Sequence, residues 1–132
     1  MTPPAPRTVP NLAILLWQAS ADQPALCATP FIHAAAAAAL DTRVEVHFAG
    51  PTVRLLVQGV AAAIKPWPGV ETSLYDLMRQ AANLDVRFVA CAMAMNKLIT
   101  NEETLIPEYA GTAGATAFVQ HTLDPDWATL VY

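Results

Sequence analysis

Leu12-Ala13-Ile14-Leu15-Leu16-Trp17 is an unbroken apolar run with no polar alternation. A strand half exposed to water alternates polar and apolar side chains, whereas a strand covered on both faces does not. The run therefore predicts a buried strand of a parallel sheet. It requires helices above and below, because parallel neighbours are joined only by crossover connections.

The rest of the chain supplies those connections. A helical stretch runs over 22–40, beginning either at Pro30 with Thr29 as its cap or near Pro24 with a kink. Six consecutive alanines, Ala34 to Ala39, favour the helix and leave little bulk on it. Arg43-Val44-Glu45-Val46-His47-Phe48 reads as the second strand, stopped by Gly50-Pro51. A short helix is expected over 52–63 and a break over 65–69, then a helix capped at Thr72 or Ser73 and ending near Asn83. Val86 to Ala90 is the third strand, leading directly into Cys91, and 92–98 reads as a short helix. After a loop over 101–107 come a helix over 114–122 and a final strand over 128–132, with a fifth short strand expected around Val60 to Ile64. Alternation of this kind predicts an α/β fold: three-layer α/β/α with a mainly parallel, four- to five-stranded sheet. Residues 1–10 hold four of the eleven prolines and form an arm, leaving 11–132 as one domain.

Composition narrows the function classes. Lys and Arg total seven and are nowhere clustered, and the formal net charge is −4, so neither nucleic acid nor a membrane surface is an expected partner. No segment approaches the roughly 20 apolar residues of a membrane span, and the N-terminus lacks the h-region of a signal peptide. Two cysteines without an export signal point to reduced thiols in the cytoplasm. Charged residues make up only 14% of the chain against 55% hydrophobic, too few to cover a monomer of this size, which predicts self-association.

Cys91 has the position with the most chemical consequence. Reactive groups of open α/β sheets gather at the carboxyl ends of strands. A cysteine there faces a helix N-terminus, whose N–H groups stabilise a thiolate. By position alone, an inert small hydrophobe is an equally good reading. The segment Val86-Arg87-Phe88-Val89-Ala90-Cys91-Ala92-Met93-Ala94-Met95 resembles the strand–cysteine–helix element of the DsrE/DsrF-like sulfur-relay family, with its Cys-x-Met-x-Met context. Phe48-Ala49-Gly50-Pro51-Thr52-Val53-Arg54-Leu55-Leu56 resembles that family's earlier strand–loop–helix segment, and the order of elements agrees from Leu12 to Tyr132. The resemblance implies a persulfide carrier of the kind used in bacterial sulfur oxidation and tRNA thiolation. It implies a homotrimer or homohexamer, other sulfur-carrier proteins as partners, and Cys91 as the persulfide-accepting residue. Such exchange requires no cofactor.

Trp17 and Gln18 at the end of the first strand, and Met93, Asn96 and Lys97 after Cys91, are the candidate lining of a pocket there; Lys97 would favour a thiolate if it folded back. The methionines also read as ordinary packing residues. Glu102, Glu103 and Glu108 read as a solvated loop face. Cys27 is a possible second thiol, with a packed small residue the better reading. A redox pair with Cys91 would require Cα atoms within about 4.4–6.8 Å. His33 lies six residues after Cys27, about 240° around a continuous helix, so the two share no face. His47 falls inside a strand and His121 near the end of the last helix; no histidine or cysteine spacing indicates a metal site. The alternative on the same fold is a non-catalytic oligomeric module that binds a small ligand.

Overall fold

The computed structural model describes residues 1–3 and 8–132; the centre of the expected proline-rich arm, residues 4–7, lies outside the described residues. Five strands form one sheet: β1 (Asn11–Leu16), β2 (Arg43–Phe48), β3 (Arg87–Ala90), β4 (Tyr109–Thr112) and β5 (Trp127–Val131). Their order is β4-β3-β2-β1-β5, and every pairing is parallel. The α/β class expected from the sequence is therefore the observed one. Four α-helices connect the strands: α1 (Ala28–Ala39), α2 (Leu74–Asn83), α3 (Ala92–Leu98) and α4 (Ala115–Leu123).

Side chains alternate across each strand, so the two sheet faces can be read by parity. Leu12, Ile14 and Leu16 of β1, Val44, Val46 and Phe48 of β2, and Phe88 of β3 belong to one buried cluster with Phe31 and Ala34 of α1 and Leu74, Met78 and Ala81 of α2. Phe31 meets Phe88 edge-on at 5.8 Å and Phe48 at 6.0 Å, while Phe48 and Phe88 meet at 5.5 Å. These separations suit the aromatic quadrupoles. The opposite face carries Glu45 and His47, and α4 lies over it, with Phe118 edge-on to His47 at 5.4 Å. That second layer is thin, since α4 has no buried residue.

Local chemistry explains the boundaries. The 22–40 stretch divides into a 3₁₀ turn, Pro24–Leu26, and a helix with Cys27 as its N-cap, so Pro30 sits within the first turn and Thr29 is not the cap. Ser73 and Asp76 form a capping box at α2, each side chain bonding the other's amide, at 3.1 and 2.9 Å. Both α1 and α2 end on an aspartate in the left-handed region, Asp41 (φ 64°) and Asp85 (φ 65°). The next amides, Thr42 and Val86, bond back to Ala37 and Ala81, which turns the chain into β2 and β3. Two expectations are corrected. The stretch over 52–63 is two 3₁₀ segments, Gly50–Leu56 and Ala61–Ala63, so Val60 to Ile64 holds no strand. The fifth strand is instead β4, short, glycine-containing and irregular in register against β3, which is why no period-2 pattern marks it.

Candidate functional site

Three residues stand one step beyond the last strand pairings, on the carboxyl edge of the sheet. Ala49 N donates to Leu16 O at 2.9 Å, Cys91 N to Phe48 O at 2.9 Å, and Ala113 N to Ala90 O at 2.8 Å. The ladder thus extends past its strands and sets Ala49, Cys91 and Ala113 side by side. Strand alternation places Cys91 on the face of Val89, whose register partner is His47, rather than on the phenylalanine face.

Ala49, Cys91 and Ala113 all line one largely apolar cavity of about 270 Å³, shared with Leu15, His47 and Phe48 below and Gly114, Ala115, Phe118 and Val119 of the α4 end above. Cys91 is half-buried and free, and it is the N-cap of α3. Its own carbonyl accepts from Met95 N at 3.0 Å, so the backbone carrying the thiol is bonded on both sides. The cavity offers a thiol an apolar chamber with small side chains around it. The space of about 270 Å³ is large enough to hold a substituent on the Cys91 sulfur.

Of the other expected site residues, none lines this cavity. Trp17 is exposed, and its amide donates to Tyr132 O at 3.0 Å. Gln18 borders a separate crevice of about 230 Å³ with Leu16, Leu26, Thr29 and Tyr132. That crevice lies where the strand order reverses between β1 and β5, two strands from Cys91. Met93, Asn96 and Lys97 are exposed on α3, with Lys97 in its last turn. The loop carboxylates have other partners: Arg54 donates to Glu103 at 2.7 Å and to Leu98 O at 3.0 Å, and the Tyr75 hydroxyl donates to Glu108.

Cys27 is sealed in the core and fully buried, its thiol directed at Ser20 O (3.2 Å) and Gln23 O (3.5 Å). Burial pushes that thiol up from its ordinary value, so it stays protonated. His33 bonds the Tyr132 hydroxyl and joins α1 to the end of the chain.

Sequence reasoning missed the upper wall of the cavity, residues 113–119. It also missed a grouping that spacing along the chain cannot display: Glu45, His47 and His121 converge, their donor atoms all within 4.8 Å of one another. Burial holds His47 below the ordinary imidazole range, although Glu45 draws it upward, so the ring is neutral near pH 7. The signal available was the i, i+2 spacing of Glu45 and His47, which puts both on one face of a strand.

The comparisons with known proteins agree with this architecture. The fold matches the ychN protein from E. coli (TM-score 0.71, 14% identity, 92% of this chain and 98% of that one). It also matches MTH1491, a protein of unknown function from Methanobacterium thermoautotrophicum (TM-score 0.66, 14% identity, 92% and 98%). At this identity the likeness is one of fold. No curated protein matches in sequence. The sequence model of the DsrE/DsrF/DrsH-like family matches residues 69–130, the stretch holding α2, β3, Cys91 and α4. Residues 69–130 are thus similar in sequence to the DsrE/DsrF/DrsH-like family, and the chain as a whole shares its fold with the two structures above.

Proposed function

We propose that the protein is a small cytoplasmic sulfur carrier in which Cys91 accepts a persulfide sulfur and passes it to a partner thiol. The observation that carries this reading is the seat of Cys91: a free, half-exposed thiol on the carboxyl edge of the sheet, opening on an apolar cavity of about 270 Å³. In the loading step the Cys91 thiolate attacks the outer sulfur of a donor R–S–SH. The donor's S–S bond breaks, its electron pair leaves as R–S⁻, and Cys91 holds the sulfur as Cys–S–SH. An acceptor thiolate then takes that sulfur and releases the Cys91 thiolate. The balance needs no cofactor, and Cys91 must be reduced beforehand, which favours the cytoplasm.

The partners in this reading are other sulfur-carrier proteins and further copies of the chain, as a homotrimer or homohexamer. Support for self-association comes from Val119 and Leu123 on α4 and Val131 on β5, which are all exposed on the α4 side of the sheet. Val119 also walls the cavity, so association over this patch would place Cys91 beside a subunit boundary.

A second reading, a ligand-binding module with Cys91 idle, draws on the crevice beside Gln18 at the point where strand order reverses. Intact-mass spectrometry after treating the reduced protein with polysulfide separates the two. The carrier reading expects added sulfur on the wild type and on Cys27→Ser, and none on Cys91→Ser. A folded wild type that takes up no sulfur sinks it and leaves the binding module.

A further inference from the structure

The sheet face opposite the phenylalanine core carries a cluster of titratable side chains that the sulfur-transfer step does not use. Glu45 and His47, two apart on β2, point toward α4, and His121 descends from that helix. Glu45 Oε2 stands 3.4 Å from His47 Nε2 and 3.6 Å from His121 Nε2. Glu45 is 7% exposed and His47 5%.

Burying a carboxylate and an imidazole together is costly unless their polar atoms are satisfied. Here they are not. His47 Nε2 is buried and has no hydrogen-bond partner among the described residues. Its approach to Glu45 is a contact without the geometry of a hydrogen bond. The rings are nonetheless held in place: His121 stacks on Trp127 at 3.6 Å and 15°, and Phe118 packs edge-on against His47. Packing thus fixes three converging donors, one with an unused lone pair or proton.

We propose that Glu45, His47 and His121 bind a divalent cation of the zinc class, and that this cation pins α4 to the sheet beside the Cys91 cavity. Tetrahedral zinc at about 2.0–2.2 Å from nitrogen and oxygen ligands sets its donors roughly 3.3 Å apart. The observed 3.4 and 3.6 Å are close to that spacing, and all three donors lie within 4.8 Å of one another. Two imidazole nitrogens with one carboxylate suit zinc and its first-row neighbours, whereas calcium and magnesium demand oxygen-rich shells. The two walls joined in this way come from separate elements, and α4 contributes no buried residue of its own. The cation therefore adds to the attachment that Phe118 and His121 already make by packing on His47 and Trp127. Because His47 and Phe118 also line the Cys91 cavity, holding α4 in place holds that cavity's upper wall.

The site is independent of the sulfur reading, and its test reads metal uptake alone. The chelator-treated full chain is titrated with Zn²⁺ by calorimetry and with Co²⁺ by visible absorption, beside Glu45→Gln, His121→Ala, His121→Gln and Cys91→Ser, each checked for folding by circular dichroism. One cation per chain is expected, with tetrahedral cobalt bands, and both persist in Cys91→Ser. Affinity should fall at least about a hundredfold in the folded Glu45 and His121 variants, since loss of an outer-shell partner alone costs roughly 10–100-fold. Binding that is equal across these variants, binding that vanishes with Cys91→Ser, or a folded wild type that takes up no cation overturns the proposal.

Discussion

The amide of Cys91 donates to the carbonyl of Phe48 at 2.9 Å, one rung beyond the last pairing of β2 with β3. That single bond decides which way the thiol faces. It keeps Cys91 in strand alternation, so its side chain points to the α4 side instead of into the aromatic core.

The two thiols should therefore react at very different rates. Iodoacetamide reaches Cys91 in the native state, whereas Cys27 must wait for an opening of the core. If that opening costs about 3 kcal/mol, Cys27 alkylates roughly a hundredfold more slowly. Peptide mapping over time, with and without urea, measures the ratio. Equal native rates would show that Cys27 is not sealed.

The aromatic cluster should dominate stability. Phe31 contacts both Phe48 and Phe88 and is fully buried. Replacing it with alanine leaves a cavity between helix and sheet that neither rigid element can collapse into, at a cost of about 3–5 kcal/mol. Phe31→Leu should cost less than half as much. Urea midpoints of the two variants against wild type give the comparison, and a loss below about 1 kcal/mol for Phe31→Ala would mean that the core repacks.

Acid should release the loop that follows α3. The Arg54 guanidinium, followed by the Thr100 amide, holds the Glu103 carboxyl down at about 2, against an ordinary value of 4.5. A carboxyl depressed in the folded state contributes stability that is fully present above its unfolded value. The contribution fades as pH falls from near 4.5 through about 2. Wild type should thus lose stability relative to Glu103→Gln across that window, and the two should run parallel above it. Denaturation midpoints at a series of pH values read the difference. A gap that stays constant with pH would remove the ion pair from the account.

Much of this architecture was legible in the chain because it rests on local chemistry. The apolar run of β1, the cap of α2 at Thr72 or Ser73 and the passage from β3 into Cys91 each leave a continuous signature. β4 does not, since four residues with a glycine at an irregular edge carry no periodicity. The candidate site was half legible for the same reason. Cys91 follows a strand that announces itself, but its cavity is closed by Ala113, Phe118 and Val119, which reach it only through the crossover from β4 to β5. Trp17 and Gln18 share the carboxyl edge with Cys91 as expected, yet the sheet order sets β2 between them and it. Neighbours along an edge follow from strand order, and strand order is a tertiary property.

The exposed apolar patch on α4 and β5 leads to the last expectation. Leu123 is 78% and Val131 59% exposed, on adjoining elements of the thinly covered face. Side chains of this kind cost solubility in a monomer and are buried at favourable free energy in an assembly. Size-exclusion chromatography with light scattering should give a wild-type mass that is a multiple of the single chain. Leu123→Asp combined with Val131→Lys should shift it toward one chain while the circular dichroism spectrum stays unchanged, because neither side chain belongs to the core. Each change puts a charge that must be desolvated at the contact, so dissociation should be favoured by about tenfold or more. A wild type that runs as one chain at every concentration would leave the patch to a different partner. A double variant that remains assembled would move the contact elsewhere, to a surface that does not include the outer wall of the Cys91 cavity.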